Sequence, residues 1–144
     1  MNNSTTNSMG ALLKAAVAAV KLVTAEEIMP RYLKVSHKHK SDGSLCTEAD
    51  LAAQSSLTRK LQSILNVPVL GEEMTAAEQH ELWKGGNDGL WCIDPIDGTS
   101  NFVRGLPYFA VSVALVRKAG VCSVSYMTRW QMRCLPPSRS VARF

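Results

Sequence analysis

The run from Leu90 to Gly105, Leu-Trp-Cys-Ile-Asp-Pro-Ile-Asp-Gly-Thr-Ser-Asn-Phe-Val-Arg-Gly, narrows the choice of fold more than any other stretch of the chain. Leu90 to Ile93 has strand character and delivers Asp94 at its end. Pro95 has no N–H to give to a ladder, which predicts that pairing stops there. Asp94 and Asp97 then flank a turn, and Gly98, Thr99 and Ser100 follow with small side chains whose backbone N–H groups can face an anion, the more so if a helix starts there. Two hard oxygen donors beside such a cradle are what a divalent-metal phosphoryl site needs, because the metal must bridge carboxylate and phosphate. For Asp-Pro or Asp-Gly alone, an ordinary Asx-type turn is the better reading.

The full string is more specific. Asp-Pro-Ile-Asp-Gly-Thr-Ser-Asn-Phe, starting at Asp94, resembles the signature of the inositol monophosphatase family, in which many members have Thr at the place of Ser100. The resemblance extends upstream to Val69-Leu70-Gly71-Glu72-Glu73, and to Lys40-Ser41-Asp42-Gly43 through Thr47-Glu48-Ala49-Asp50. It covers the chain from about Gly10 to Gly120 and implies an α+β fold, the N-terminal half of the layered αβαβα sandwich that this family shares with the fructose-1,6-bisphosphatases. The expected organisation is a disordered N-terminus at 1–8, an incomplete family domain at 9–120, and a basic tail at 121–144 outside the family pattern.

Charge argues against a nucleic-acid polymer as partner, although the net charge is +4. Between Gly71 and Asp97 there are seven acidic residues, Glu72, Glu73, Glu78, Glu81, Asp88, Asp94 and Asp97, against the single base Lys84, so that segment repels phosphate unless cations sit in it. Much of the positive balance lies after Arg117, in Lys118, Arg129, Arg133, Arg139 and Arg143, with no acid beside them. With 46% hydrophobic and 19% charged residues in 144, a folded chain with a real core is expected. Cys46, Cys92, Cys122 and Cys134 show no Cys-x-x-Cys spacing, which makes reduced thiols and a cytoplasmic location the default.

Taken in order, Met9 to Ile28 reads as an amphipathic helix stopped near Pro30, and its apolar centre, Ala15 to Val20, is far too short to span a bilayer. Lys34 to Ser44 is polar, and His37 and His39 at i, i+2 have no third ligand nearby, so a solvated basic loop outweighs a metal site. Thr47 opens a second helix with a capping box closed by Asp50, and Leu51, Ser55, Leu57, Leu61, Ile64 and Leu65 follow on roughly one side. From this stretch alone, capping is the better reading of Asp50 and a site role the lesser one. Val67 to Leu70 is a short strand ending in Gly71-Glu72-Glu73. Glu72 meets Asp94 if the two strands are neighbours, since adjacent strands lie only about 5 Å apart. A short helix fits between Met74 and Gly89, with His80 on the surface, and Pro107 to Arg117 has the β-branched and aromatic content of a buried strand.

The resemblance implies roles for particular residues. Glu72, Asp94 and the carbonyl of Ile96 would hold one Mg²⁺, and Asp94 and Asp97 would reach a second; intact relatives use two or three such ions. Thr99, oriented by Asp50, would help to remove the proton of the attacking water, with Glu73 in support. Gly98, Thr99 and Ser100 would donate to the phosphate, and Lys40 would approach the site from a mobile segment. The implied activity is hydrolysis of a small phosphate monoester of the inositol monophosphate type, sensitive to lithium, by an enzyme that is a homodimer when intact. Adenosine bisphosphate, histidinol phosphate and fructose bisphosphate are the alternative substrates within the signature. Intact relatives are about twice as long and supply a further metal-binding aspartate from a Trp-Asp pair, which is absent from these 144 residues. Weak or absent turnover is therefore expected of this chain, and a non-catalytic remnant pairing through a sheet edge is the reading from another class.

Beyond Gly120 the sequence shows only basic charges, a Pro-Pro pair and no period that fits a helix or a strand. A change of reading frame near Gly120 accounts for this. Suitable codons for Tyr126 to Phe144 yield, in the neighbouring frame, Tyr-Asp-Pro-Val-Ala-Asp-Glu-Met-Phe and then Gly-Ala-Phe, a peptide similar to the family's continuation. The coding DNA is expected to read that peptide in one of its other two frames, and its absence from both would refute the frame change.

Overall fold

The computed structural model describes residues 9–34, 37–40, 45–86, 88–117, 120–127 and 132–135, with residue 45 and the segments at 37–39, 120–127 and 132–135 described by their backbone. The expectation for residues 1–8 falls outside these. Helix α1, Met9–Val23, buries Leu12, Ala16, Ala19, Val20 and Val23 on one side, as its sequence spacing predicts. It then widens into a π-turn over Thr24–Ile28 and tightens into a 3₁₀ turn over Met29–Arg31 that holds Pro30. A two-stranded antiparallel ribbon of β1, His37–His39, and β2, Leu45–Thr47, leads into α2, Glu48–Ile64.

A five-stranded sheet follows, in the order β3-β4-β5-β6-β7. Its members are β3 (Val69–Gly71), β4 (Leu90–Asp97), β5 (Ala110–Arg117), β6 (Gly120–Met127) and β7 (Met132–Leu135). Strands β3 and β4 are parallel, with α3, Ala76–Gly85, in the crossover, and every later pairing is antiparallel. A five-residue helix α4, Thr99–Val103, turns the chain from β4 into β5. The mixed architecture is the α+β arrangement expected.

One face of the sheet carries the core. Trp91, Ile93, Val111, Val113 and Leu115 alternate inward along β4 and β5 and pack in one cluster with Leu12, Val20 and Val23 of α1 and Leu57 and Leu61 of α2. The buried Trp91 also donates its indole N–H to the Leu65 carbonyl at 3.2 Å, so its polar atom is satisfied. Tyr32, Phe102 and Phe109 stack as a tilted and edge-to-face trio with centroids 5.1–5.5 Å apart, which fixes α4 against the end of the α1 region. The opposite face is only half-buried and presents Cys92, Ser112 and Ala114 to a mostly apolar cavity of about 340 Å³ that Leu70 also lines.

Three sequence expectations change. Strand β4 does not end at Pro95. It continues to Asp97 across a register shift between Asp94 and Asp97, so that proline occupies an irregularity where no ladder N–H is demanded. On α2 the inward stripe is Ala49, Asp50, Ala53, Ser56, Leu57 and Leu61, while Leu51 stays 55% exposed, because small residues at the contact let the helix lie close to its neighbours. Beyond Gly120 the backbone forms β6 and β7, paired to β5 and to each other, in a stretch where periodicity predicts no strand. Pairing to a neighbour supplies there what local pattern lacks. Among the described residues no helix is long and apolar enough to cross a membrane.

The difference between the two leucines of α2 is measurable. Leu57→Ala, at a fully buried position, is expected to cost about 2–5 kcal/mol in urea denaturation. Leu51→Ala is expected to stay within about 0.5 kcal/mol, and comparable losses at both positions would contradict the packing described.

Candidate active site

Parallel pairing of β3 with β4 sets Gly71 opposite Ile93, and the Glu72 N–H donates to the Ile93 carbonyl at 3.1 Å. Glu72 therefore leaves its strand beside the point where Asp94 leaves the regular part of the next. Glu72, Asp94, Ile96, Asp97, Gly98, Thr99 and Ser100 line one polar cavity of about 260 Å³. These are the residues that the sequence nominates for metal and phosphate, gathered from two strand ends and the first turn of α4. Gly98 makes that turn at φ +90°, where a Cβ would also come within 2.9 Å of the Tyr108 carbonyl oxygen.

Asp50 contacts both Thr47 and Thr99. Its Oδ2 accepts from the Thr47 backbone N–H at 2.7 Å and from the Thr47 hydroxyl, closing the capping box of α2. Its Oδ1 accepts from the Thr99 hydroxyl at 3.2 Å. The same hydroxyl lies 2.9 Å from the Ile96 carbonyl oxygen and has one proton to share between the two acceptors. A cation that took up the Ile96 carbonyl would leave Asp50 as the acceptor. Burial raises the pKa of Asp50, against the hydrogen bonds from Thr47 and Thr99 that favour its charged form.

Glu73 is not among the residues that line the cavity. Its carboxylate, 3% exposed, lies 2.9 Å from the Lys40 ammonium, and Cys46 Sγ, Asp50 and Glu73 offer donor atoms all within 4.8 Å of one another. Lys40 also donates to both carboxylate oxygens of Glu72 at 2.8 Å, so it reaches the site as the resemblance implies. Burial, reinforced by Glu73, pushes the Cys46 thiol up to about 12. Its side chain is therefore a neutral neighbour of the acids.

Two positioning residues escape the sequence reading. Gln54 accepts the Glu73 backbone N–H at 3.0 Å, and its amide packs so closely over Gly71 that any Cβ there would collide with it. Gln79 donates to the Gly71 carbonyl at 2.9 Å. Gln54 follows Asp50 by four residues on α2, so helical spacing alone puts the two on one face and could have nominated it. Gln79 carries no comparable signal. The side chains of His37 and His39 lie outside the described residues.

The donor set suits a hard divalent cation. Glu72, Asp94, Ile96 and Asp97 line the cavity and can offer it only oxygen ligands, whereas the Cys46 group includes a sulfur that Mg²⁺ does not favour. Crowding of like charge points the same way. Burial, then Asp97 and Glu72, raises the Asp94 carboxyl to about 6. Burial and the neighbouring Glu72 raise Glu73 to about 7 in spite of Lys40. Burial works against the charge of Lys40, but its bonds to Glu72 and Glu73 outweigh this and hold its pKa above the usual lysine range.

An α+β fold that gathers carboxylates, a threonine and small-residue amides at strand ends describes a class of phosphatases, and comparison with known proteins agrees. The family model of the inositol monophosphatase family matches residues 8–127, and the chain belongs to that family. It is 37% identical over 106 residues to a 3'(2'),5'-bisphosphate nucleotidase, CysQ, of Haemophilus influenzae, covering 71% of this chain and 38% of that protein. It is 36% identical over 110 residues to an inositol monophosphatase of Dictyostelium discoideum, covering 72% and 38%. The solved structure of a Thermotoga maritima IMPase superposes with a TM-score of 0.54 at 25% identity over 88% of this chain and 49% of that one. The chain thus spans well under half the length of these two curated relatives and corresponds to the N-terminal half of the fold.

The crowding at Asp94 has a sign that can be measured. Folded Asp94 keeps its proton to about pH 6, above the ordinary value of 3.8, so its contribution to stability is complete below about pH 4 and is lost as pH rises through 6. Asp94→Asn is expected to raise the stability of the EDTA-treated chain at pH 7.5 by about 1 kcal/mol, a figure already reduced for solvent screening of a half-buried group. At pH 4 it should change little. Equal urea midpoints for the two proteins at pH 7.5 would refute the crowding.

Proposed function

We propose that this site is the metal and phosphate half of a Mg²⁺-dependent phosphomonoesterase of the inositol monophosphatase type. The observation that carries the reading is the convergence of Glu72, Asp94, Asp97 and the Ile96 carbonyl on one cavity with Gly98, Thr99 and Ser100. Mg²⁺ held by these oxygens would supply Lewis acidity to a water molecule and to the ester phosphate. The chain's own residues do the rest. Asp50 orients the Thr99 hydroxyl, which would take the proton of the attacking water as it passes its own to Asp50 Oδ1, and the backbone amides of Gly98 to Ser100 orient the phosphate. Glu73 acts from behind, neutralising Lys40 and keeping the Glu72 turn in place. No covalent phosphoenzyme is needed.

Within this reading the substrate is an inositol monophosphate or a related small ester. The nucleotidase and inositol monophosphatase names of the relatives support both a bisphosphorylated nucleotide and a phosphorylated polyol, with histidinol phosphate and fructose bisphosphate as further members of the set. Lithium sensitivity, homodimerisation and a cytoplasmic location belong to the same proposal, extended from the family. A non-catalytic protein that associates through a sheet edge is the second reading.

Two measurements test the proposal. Addition of 10 mM Mg²⁺ should raise the melting temperature of the chain, and Glu72→Gln or Asp94→Asn should remove that rise. A wild-type chain that Mg²⁺ leaves unmoved would sink the metal reading. Phosphate release from inositol 1-phosphate and from adenosine 3',5'-bisphosphate by the 144-residue chain should stay near background. Robust Mg²⁺-dependent hydrolysis lost in Asp94→Asn would overturn the expectation of weak turnover while upholding the site.

A further inference from the structure

Lys40 spends its full donor capacity on two adjacent glutamates. Its ammonium lies 2.8 Å from each carboxylate oxygen of Glu72 and 2.9 Å from Glu73 Oε2, which engages all three N–H bonds. The Lys40 side chain is 23% exposed, between a buried Glu73 at 3% and a Glu72 that is 46% exposed, so the contact joins the segment after β1 to the end of β3 and is sheltered on its Glu73 side. An ordinary surface lysine pairs with one exposed acid, if any. This one sits where a cation is most wanted, beside the carboxylate that the oxygen cavity shares with Asp94 and Asp97.

We propose that Lys40 is a tethered cation that occupies the Glu72 end of the metal site in the metal-free chain and competes with the divalent ion for it. The inference rests on the reading of the cavity as a metal site and adds a regulatory contact to it. Both oxygens of Glu72 are committed to the ammonium, and a divalent ion that took either of them would lie within a few ångströms of a second positive charge. Repulsion between a unit and a double charge at that range corresponds to a factor of roughly ten or more in binding, even at the dielectric constant of water. Metal entry therefore requires the ammonium to withdraw from Glu72. In the metal-free state the same ammonium offsets the repulsion between Glu72 and Glu73. Metal occupancy is thereby coupled to the position of a residue carried next to β1.

Mn²⁺ binding to the chelator-treated 144-residue chain, followed by loss of the free-ion electron paramagnetic resonance signal, tests this. Lys40→Met and Lys40→Gln should each bind Mn²⁺ roughly tenfold more tightly than wild type. Lys40→Arg, which keeps the charge, and Lys60→Met, which removes a charge on α2 beside Glu26, should stay within about twofold of wild type. Glu72→Gln should abolish the gain in the Lys40→Met background. Equal or weaker binding by both neutral variants, with wild-type binding still sensitive to Glu72→Gln, would overturn the tethered cation and leave the metal site standing. No binding sensitive to Glu72→Gln in wild type or in either neutral variant would overturn both.

Discussion

The parallel pairing of β3 with β4 is the constraint on which the rest of the site depends. It sets Glu72 beside Asp94 through one backbone hydrogen bond, from the Glu72 N–H to the Ile93 carbonyl. Carboxylates so placed do not hold themselves together: burial first, and then repulsion from Asp97 and Glu72, raises Asp94. What holds them is the apolar face behind, where Trp91 and Ile93 of β4 are buried with Leu57 and Leu61 of α2. The unfavourable electrostatics of the site are thus offset by hydrophobic burial a few ångströms away, a common arrangement where function demands charges that folding alone would avoid.

Asp50 ties helix formation to the site by a different route. The capping box fixes where α2 begins, and one oxygen of the capping carboxylate is enough for that. The other oxygen remains for the Thr99 hydroxyl on α4, forty-nine residues along the chain. Capping and orienting are therefore two uses of one fully buried group. Gln54, one helical turn on, extends the same face to the Glu73 backbone, so that α2 positions both the threonine and the glutamate turn.

Membership of the inositol monophosphatase family gives these contacts a common meaning. The matched region runs to residue 127 and takes in β6, so the family pattern reaches the fourth strand of the sheet. The face of β4 and β5 turned away from α1 and α2 is half-buried, around a mostly apolar cavity.

Much of this was legible in the residues themselves. The apolar spacing of α1, the capping box at Thr47, the strand ending at Gly71-Glu72-Glu73 and the Asp94–Gly98 turn are local signals, because hydrogen-bonding chemistry and side-chain periodicity act over a few neighbours. Asp94 and Asp97 stand out by the same short-range pattern, whereas the places of Glu72, Glu73 and Asp50 at the site came from the resemblance to the family. Tertiary structure alone decided the rest. The run of β4 past Pro95, the exposure of Leu51, the packing of Gln54 on Gly71 and the strand at Gly120–Met127 depend on which neighbour each residue meets. The hold of Lys40 on Glu72 and Glu73 joins residues more than thirty positions apart. Local sequence fixes what a residue can donate, accept or bury; only the packed chain determines which partner is within reach.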